Sequence, residues 1–156
     1  MGFLTVFNET GCPHSGCLLE YSKGFEWLSY MPSANSFLDM FGSTGFVDPD
    51  DRETAIDTYV RLKVDDNALI NGRNKTVKAY LETEIYRLFV NDCCSFSKDL
   101  SRNCGLNAPL TAFVPGILVI ELYSKNLNKL ANYNDKPSPW KINKQYQKLQ
   151  KVKSLE

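Results

Sequence analysis

The 156 residues carry 18 basic and 18 acidic side chains and are 43% apolar and 23% charged, the composition of one globular domain with a single core. The charge balance excludes an overall field that would draw the protein to nucleic acid or a membrane surface. No run approaches the roughly 20 apolar residues of a membrane span; the longest, Ala112 to Leu122, is broken by Pro115-Gly116.

The charges are unevenly placed. Fifteen acids precede position 100 and only Glu121, Asp135 and Glu156 follow, whereas six lysines and no acid lie between Lys136 and Lys153. The body is mildly acidic and the C-terminal arm is basic. Five cysteines, an odd number with two adjacent, read as reduced thiols. The N-terminus has no basic-then-apolar leader, so the expected location is a reducing cytoplasm or a virion.

In chain order, Phe3–Phe7, Cys17–Tyr21 and Phe25–Met31 are short aromatic and β-branched runs, which predict a small N-terminal hairpin or sheet. Ser33 or Asn35 is placed to cap a short helix ending near Gly42. Asp48-Pro49-Asp50-Asp51 reads as a helix start, and Ala55, Ile56, Tyr59, Val60 and Val64 follow at helical spacing until Asp65-Asp66-Asn67. Ala68-Leu69-Ile70 is then an apolar plug in a connection. The firmest helical stripe is Val77, Tyr80, Leu81, Ile85, Leu88, Phe89 and Cys93, which predicts one helix over 74–94 with Gly72 as the break before it. Residues 95–106 predict at most one helical turn, and 114–131 a further helix. Pro137-Ser138-Pro139 is a stiff linker to an amphipathic arm helix bearing Ile142, Tyr146, Leu149 and Val152.

The expected fold class is therefore α+β, mainly α: a strand-rich 1–47, a bundle of three to four amphipathic helices over 48–133, and a Pro-linked basic arm at 134–156.

Cys12-Pro13-His14-Ser15-Gly16-Cys17 is the most chemical-looking segment. Two thiolates and the only imidazole can supply three ligands to a structural zinc, although paired C-x₂-C knuckles are absent. Asp92-Cys93-Cys94 resembles the helix of secreted phospholipases A2, but Ser97 and Lys98 stand where that family has its His and Asp. One histidine and no nucleophile elbow leave no base–nucleophile pair. Glycines 42 and 45 lack the lysine of a phosphate loop, and the acids at 48–51 and 65–66 read as helix-end charges. The chain is not expected to be an enzyme.

Tyr59–Asp65, Asp66–Ile70 and Ala79–Glu82 together resemble the core of small helical head–tail connector proteins of tailed bacteriophages. That resemblance implies a ring-forming structural subunit without an active site. The expected function is thus a non-catalytic subunit or adaptor of a multi-subunit assembly, homo- or hetero-oligomeric. Its contacts are expected at Phe3, Phe7, Phe25, Trp27 and Tyr30, which serve equally well as core, and at Trp140, Ile142, Tyr146, Leu149 and Val152. The rival is a zinc- or thiol-dependent nucleic-acid-binding module using Cys12, His14, Cys17 and the lysine arm.

Overall fold

The computed structural model describes residues 1–9, 13–33, 37–49, 56–83 and 85–131. Strands β1 (Gly2–Glu9), β2 (His14–Tyr21), β3 (Gly24–Pro32) and β4 (Ser43–Asp48) follow one another as an antiparallel meander. A short 3-10 helix, Phe37–Phe41, precedes β4. Strand β5 (Ile56–Val64) returns to pair with β1 at the opposite edge, and the two-residue β6 (Ile85–Tyr86) closes the β4 side. The sheet order is β5-β1-β2-β3-β4-β6. Helices α1 (Asp66–Thr83), α2 (Cys93–Asn103) and α3 (Pro115–Lys125) complete the fold, with a 3-10 turn at Leu127–Lys129.

Among the described residues the fold is therefore α+β, a six-stranded antiparallel sheet packed with three helices, and the mainly α expectation is corrected. The N-terminal hairpin extends into five strands because the segment read as the first helix is β5. Its physical reason is a register shift opposite Asn8 and Glu9. Glu9 pairs with Ile56 and Phe7 with Tyr59, so the bulge sets Ile56 and Tyr59, three residues apart, on one face. Val60, Leu62 and Val64 then alternate onto the other face. The interruption imitates helical spacing in a β-branched segment that pairs along β1.

The 74–94 helix is likewise corrected. Asp65 and Asp66 begin α1 instead of ending a helix: the Asp65 carboxylate accepts the Asn67 N–H at 2.9 Å, and its carbonyl accepts from Leu69. Gly72 lies inside α1, where a Cβ would come within 2.5 Å of the Cys104 sulfur and 2.8 Å of its backbone nitrogen. Its missing side chain permits α2 to approach, rather than breaking a helix. Thr76 and Asn103 seal the crossing, with Asn103 Nδ2 donating to Thr76 Oγ1 at 2.9 Å.

All three helices cover one face of the sheet. Leu4, Val6, Cys17, Leu19, Leu28, Tyr30, Val60, Leu62 and Val64 meet Leu69, Tyr80, Phe96, Leu100, Leu118, Val119 and Leu122 in the main core. Tyr30 stacks on Phe96 and Tyr86 and meets Tyr80 edge-on, which makes an aromatic centre. Gly45 is required beside it, since a Cβ there would collide with the Tyr30 ring and hydroxyl. The α2 helix is a full three turns rather than the single turn expected. Its small residues Ser97 and Ser101 are buried with Phe96 and Leu100, and Ser15 Oγ donates to Ser97 Oγ at 3.0 Å. Pro115 opens α3 at a position where its missing N–H costs nothing. The reciprocal amide bonds of the buried Asn126 with Asn107 tie its end to the preceding loop.

A second, smaller cluster of Phe7, Leu18, Trp27 and Ile56, with Tyr59 against it, lies on the other face of the sheet. Arg61 and Glu20 pair there through two hydrogen bonds of 2.8 and 3.1 Å, both side chains buried, and the guanidinium sits 3.6 Å over the Phe3 ring.

Candidate interaction surface

Between β6 and α2 the chain makes a tight turn that points two large apolar side chains outward. Arg87 and Asn91 exchange backbone hydrogen bonds of 3.1 and 2.8 Å, and the Asn91 amide donates to the Ile85 carbonyl at 2.7 Å. Leu88 N–H reaches the Met40 carbonyl, which anchors the turn to the 3-10 helix. Phe89 at the tip has φ +66°, a left-handed conformation that a bulky residue rarely adopts. It is held there by Asp92, whose buried carboxylate accepts the Phe89 N–H at 2.7 Å on one oxygen and the Ser95 N–H at 2.9 Å on the other. One side chain thus caps α2 and fixes the turn. Phe89 is 53% and Val90 70% exposed.

The turn continues into a larger apolar surface. The Phe89 ring meets Phe113 edge-on with centroids 6.1 Å apart. Beyond Phe113, Val114, Ile117 and Ile120 recur every third residue, which puts them on the outward side of the segment that enters α3, while Leu118, Val119 and Leu122 face the core. All of them are exposed, as is Leu110 in the same loop. A surface that gathers Phe89, Val90, Leu110, Phe113, Val114, Ile117 and Ile120 is more than the scattered apolar residues normal on a protein exterior.

No family model, curated protein or solved structure matches this chain.

The residues expected to carry function fall elsewhere. Cys12 lies outside the described residues. His14 and Cys17 both lie on β2, but three positions apart on a regular strand they point to opposite faces: His14 with Gly16 and Leu18, Cys17 into the helix-covered core. They cannot share one ion, and among the described residues no group of three His, Cys, Asp or Glu is placed to hold a metal. Cys17, Cys93, Cys94 and Cys104 are buried free thiols. Burial pushes Cys93 up to about 11 and Cys17 and Cys104 up to about 12, and raises Cys94 as well. Thiols so placed are poor nucleophiles and poor ligands.

Of the expected contact residues, Phe7, Trp27 and Tyr30 are buried within the chain, Phe3 is half-buried under Arg61, and Phe25 is exposed. Trp140, Ile142, Tyr146, Leu149 and Val152 lie outside the described residues. In the connector-like stretch, Tyr59 to Val64 lie on β5 instead of a helix. A shallow depression along the exposed side of α1, lined by Arg73, Asn74, Val77, Lys78, Leu81 and Glu82, brings no reactive pair together. No helix among the described residues is long and apolar enough to cross a membrane.

Sequence reasoning misses the apolar surface because Phe89 falls on the 74–94 stripe, whose spacing predicts one face of a helix. The signal against that assignment is Asn91-Asp92, a turn-and-cap pair inside the supposed helix.

Proposed function

We propose that this protein is a non-catalytic subunit or adaptor of a multi-subunit assembly, and that it binds another protein subunit through the surface built from the 87–91 turn, the 110–114 loop and the outer side of α3. The observation that carries this reading is the exposed Phe89, held in a left-handed conformation by a buried carboxylate and leaning on the exposed Phe113. Strain of about 1–3 kcal/mol is maintained where the surrounding structure over-determines it, and such positions concentrate at functional sites. Aromatic side chains fixed in advance lose little freedom on association, which suits a contact centre. The connector pattern adds nothing to this reading, since its first helical stretch is β5.

The test is the mass of the full chain by light scattering and native mass spectrometry, alone and in extracts of the cells that make it, beside a chain carrying Ile117→Asp and Ile120→Asp. Both positions are exposed, so the variant keeps its fold. The expected result is an assembly formed by the unaltered chain and lost in the variant. A solitary chain that behaves identically with and without the two substitutions overturns the proposal.

A further inference from the structure

Resting on the function proposed above, we infer that the subunit bound by the apolar surface is a second copy of this chain. The two copies meet about a two-fold axis with their α3 helices in contact. Size is the first ground. Leu110 is 87% and Ile120 66% exposed, and Phe89, Phe113 and Ile117 are each about half exposed. With about 150–250 Å² for a whole aromatic side chain and somewhat less for an aliphatic one, the surface presents roughly 700 Å². That is above the roughly 300–600 Å² of the largest apolar patch on a typical monomer. It approaches the approximately 800 Å² that each partner brings to a stable interface.

Shape and charge identify the partner. On the outer side of α3 and the turn after it, Ile117, Ile120, Ser124 and Leu127 are exposed and stand three, four and three residues apart. Leu118, Val119 and Leu122 lie between them and face the core. Alternating steps of three and four make the seam that one helix offers another. Ser124 donates its hydroxyl to the Glu121 carbonyl of its own helix at 3.0 Å, so it can be covered without losing a hydrogen bond. A surface paired with itself brings like charges together near the axis, which is costly. Here there are none to bring: no charged residue occurs from Asn103 to Ile120, or from Leu88 to Asn91. Charge patterns are what tell one foreign partner from another. A broad surface without them has the apolar character of an interface between identical subunits.

The experiment uses the purified full chain. Sedimentation equilibrium over a wide range of concentration should show pairs in exchange with single chains. Aspartate and lysine are then placed separately at Ile117, at Ile120 and at Ser124, all exposed positions that the isolated fold does not depend on. Each single variant sets like charges against each other across the axis and should associate about tenfold more weakly or worse. Mixing the aspartate and lysine variants of one position should restore pairing, most fully at the position nearest the axis. A chain that stays single at every concentration, pairing indifferent to the charges, or no recovery at any of the three positions overturns the inference. The broader reading is scored separately. If the pure chain stays single yet enters an assembly in extracts that Ile117→Asp with Ile120→Asp abolishes, the surface binds a different protein and only the second copy is refuted. If that assembly is also missing, the proposed function falls with it.

Discussion

The Asp92 carboxylate accepts the Phe89 N–H at 2.7 Å and so fixes the φ of +66° that turns this aromatic side chain outward. The same group caps α2 through Ser95 and is 1% exposed. Replacing Asp92 by Ala removes both bonds and should cost about 2 kcal/mol, since a lost N-cap alone costs about 1. Urea unfolding checks the loss, and proton exchange at the Phe89 amide should accelerate in the variant. A stability unchanged by Asp92→Ala would show that the turn holds itself.

Phe89→Gly separates stability from association. Glycine accepts positive φ without strain, so the turn should gain about 1 kcal/mol by the usual size of the left-handed penalty. The exposed ring contributes little to the isolated fold. Partner binding should nevertheless weaken by about 2 kcal/mol, the scale of an interfacial aromatic hot spot. Thermal unfolding and a binding isotherm on the same two proteins read the opposite signs. A variant that loses stability contradicts the assignment of strain to this residue.

The Arg61–Glu20 pair provides a test on the face of the sheet opposite the helices. Both side chains are buried and doubly bonded, so Arg61→Met takes two charge-assisted hydrogen bonds from Glu20 and should cost about 2–3 kcal/mol. Adding Glu20→Leu should recover most of that loss, because a well-packed apolar pair replaces two desolvated charges. Denaturant midpoints of the two single variants and the double variant give the coupling. Additive losses would mean that the pair is not a unit.

Alkali should unfold the protein through its thiols. Cys93 is pushed up to about 11 and Cys17 and Cys104 up to about 12 by burial, from an ordinary 9.0. A group whose pKa is raised by folding keeps its proton in the native state while the unfolded chain releases it. The native state therefore binds more protons, and stability falls as pH rises. The contribution is complete below about pH 9 and is lost between there and about pH 12. Circular dichroism should show an alkaline transition in that window. At pH 8 the four buried thiols should be alkylated only as fast as the chain opens, which peptide mapping reads residue by residue. Rapid alkylation of Cys17 or Cys104 in the folded protein would contradict their burial.

The hairpin strands were legible in the sequence because Phe3–Phe7, Cys17–Tyr21 and Phe25–Met31 have strand composition and turn residues between them. The helix at 115–125 was legible by length. What misled was one extra residue: opposite Asn8 and Glu9 the register shift separates Ile56 from Tyr59 by three positions on one face, and a strand took on helical periodicity. Gly72 misled differently. A glycine forced by the nearness of Cys104 and one that ends a helix look alike until the neighbour is known. The α2 helix was hidden because its core-facing side includes Ser97 and Ser101, small enough to bury but polar by composition. The apolar surface was in part visible, since Val114, Ile117 and Ile120 lie in the segment read as a helix. Which side of that helix faces water depends on where the sheet lies, and that was not in the local pattern.

The hydrogen bond from Ala131 to Arg61, with the bridge between Leu130 and Leu62, has a bearing on how copies of this chain avoid one another. Open sheet rims recruit foreign strands and seed fibres. Here β6 pairs with β4 at Ser43 and Thr44, and the outer rim of β5 is met at Arg61 and Leu62 by the protein's own backbone. At those positions a neighbour would be joined by side chains, which select a partner, rather than by ladder extension, which accepts almost any extended peptide.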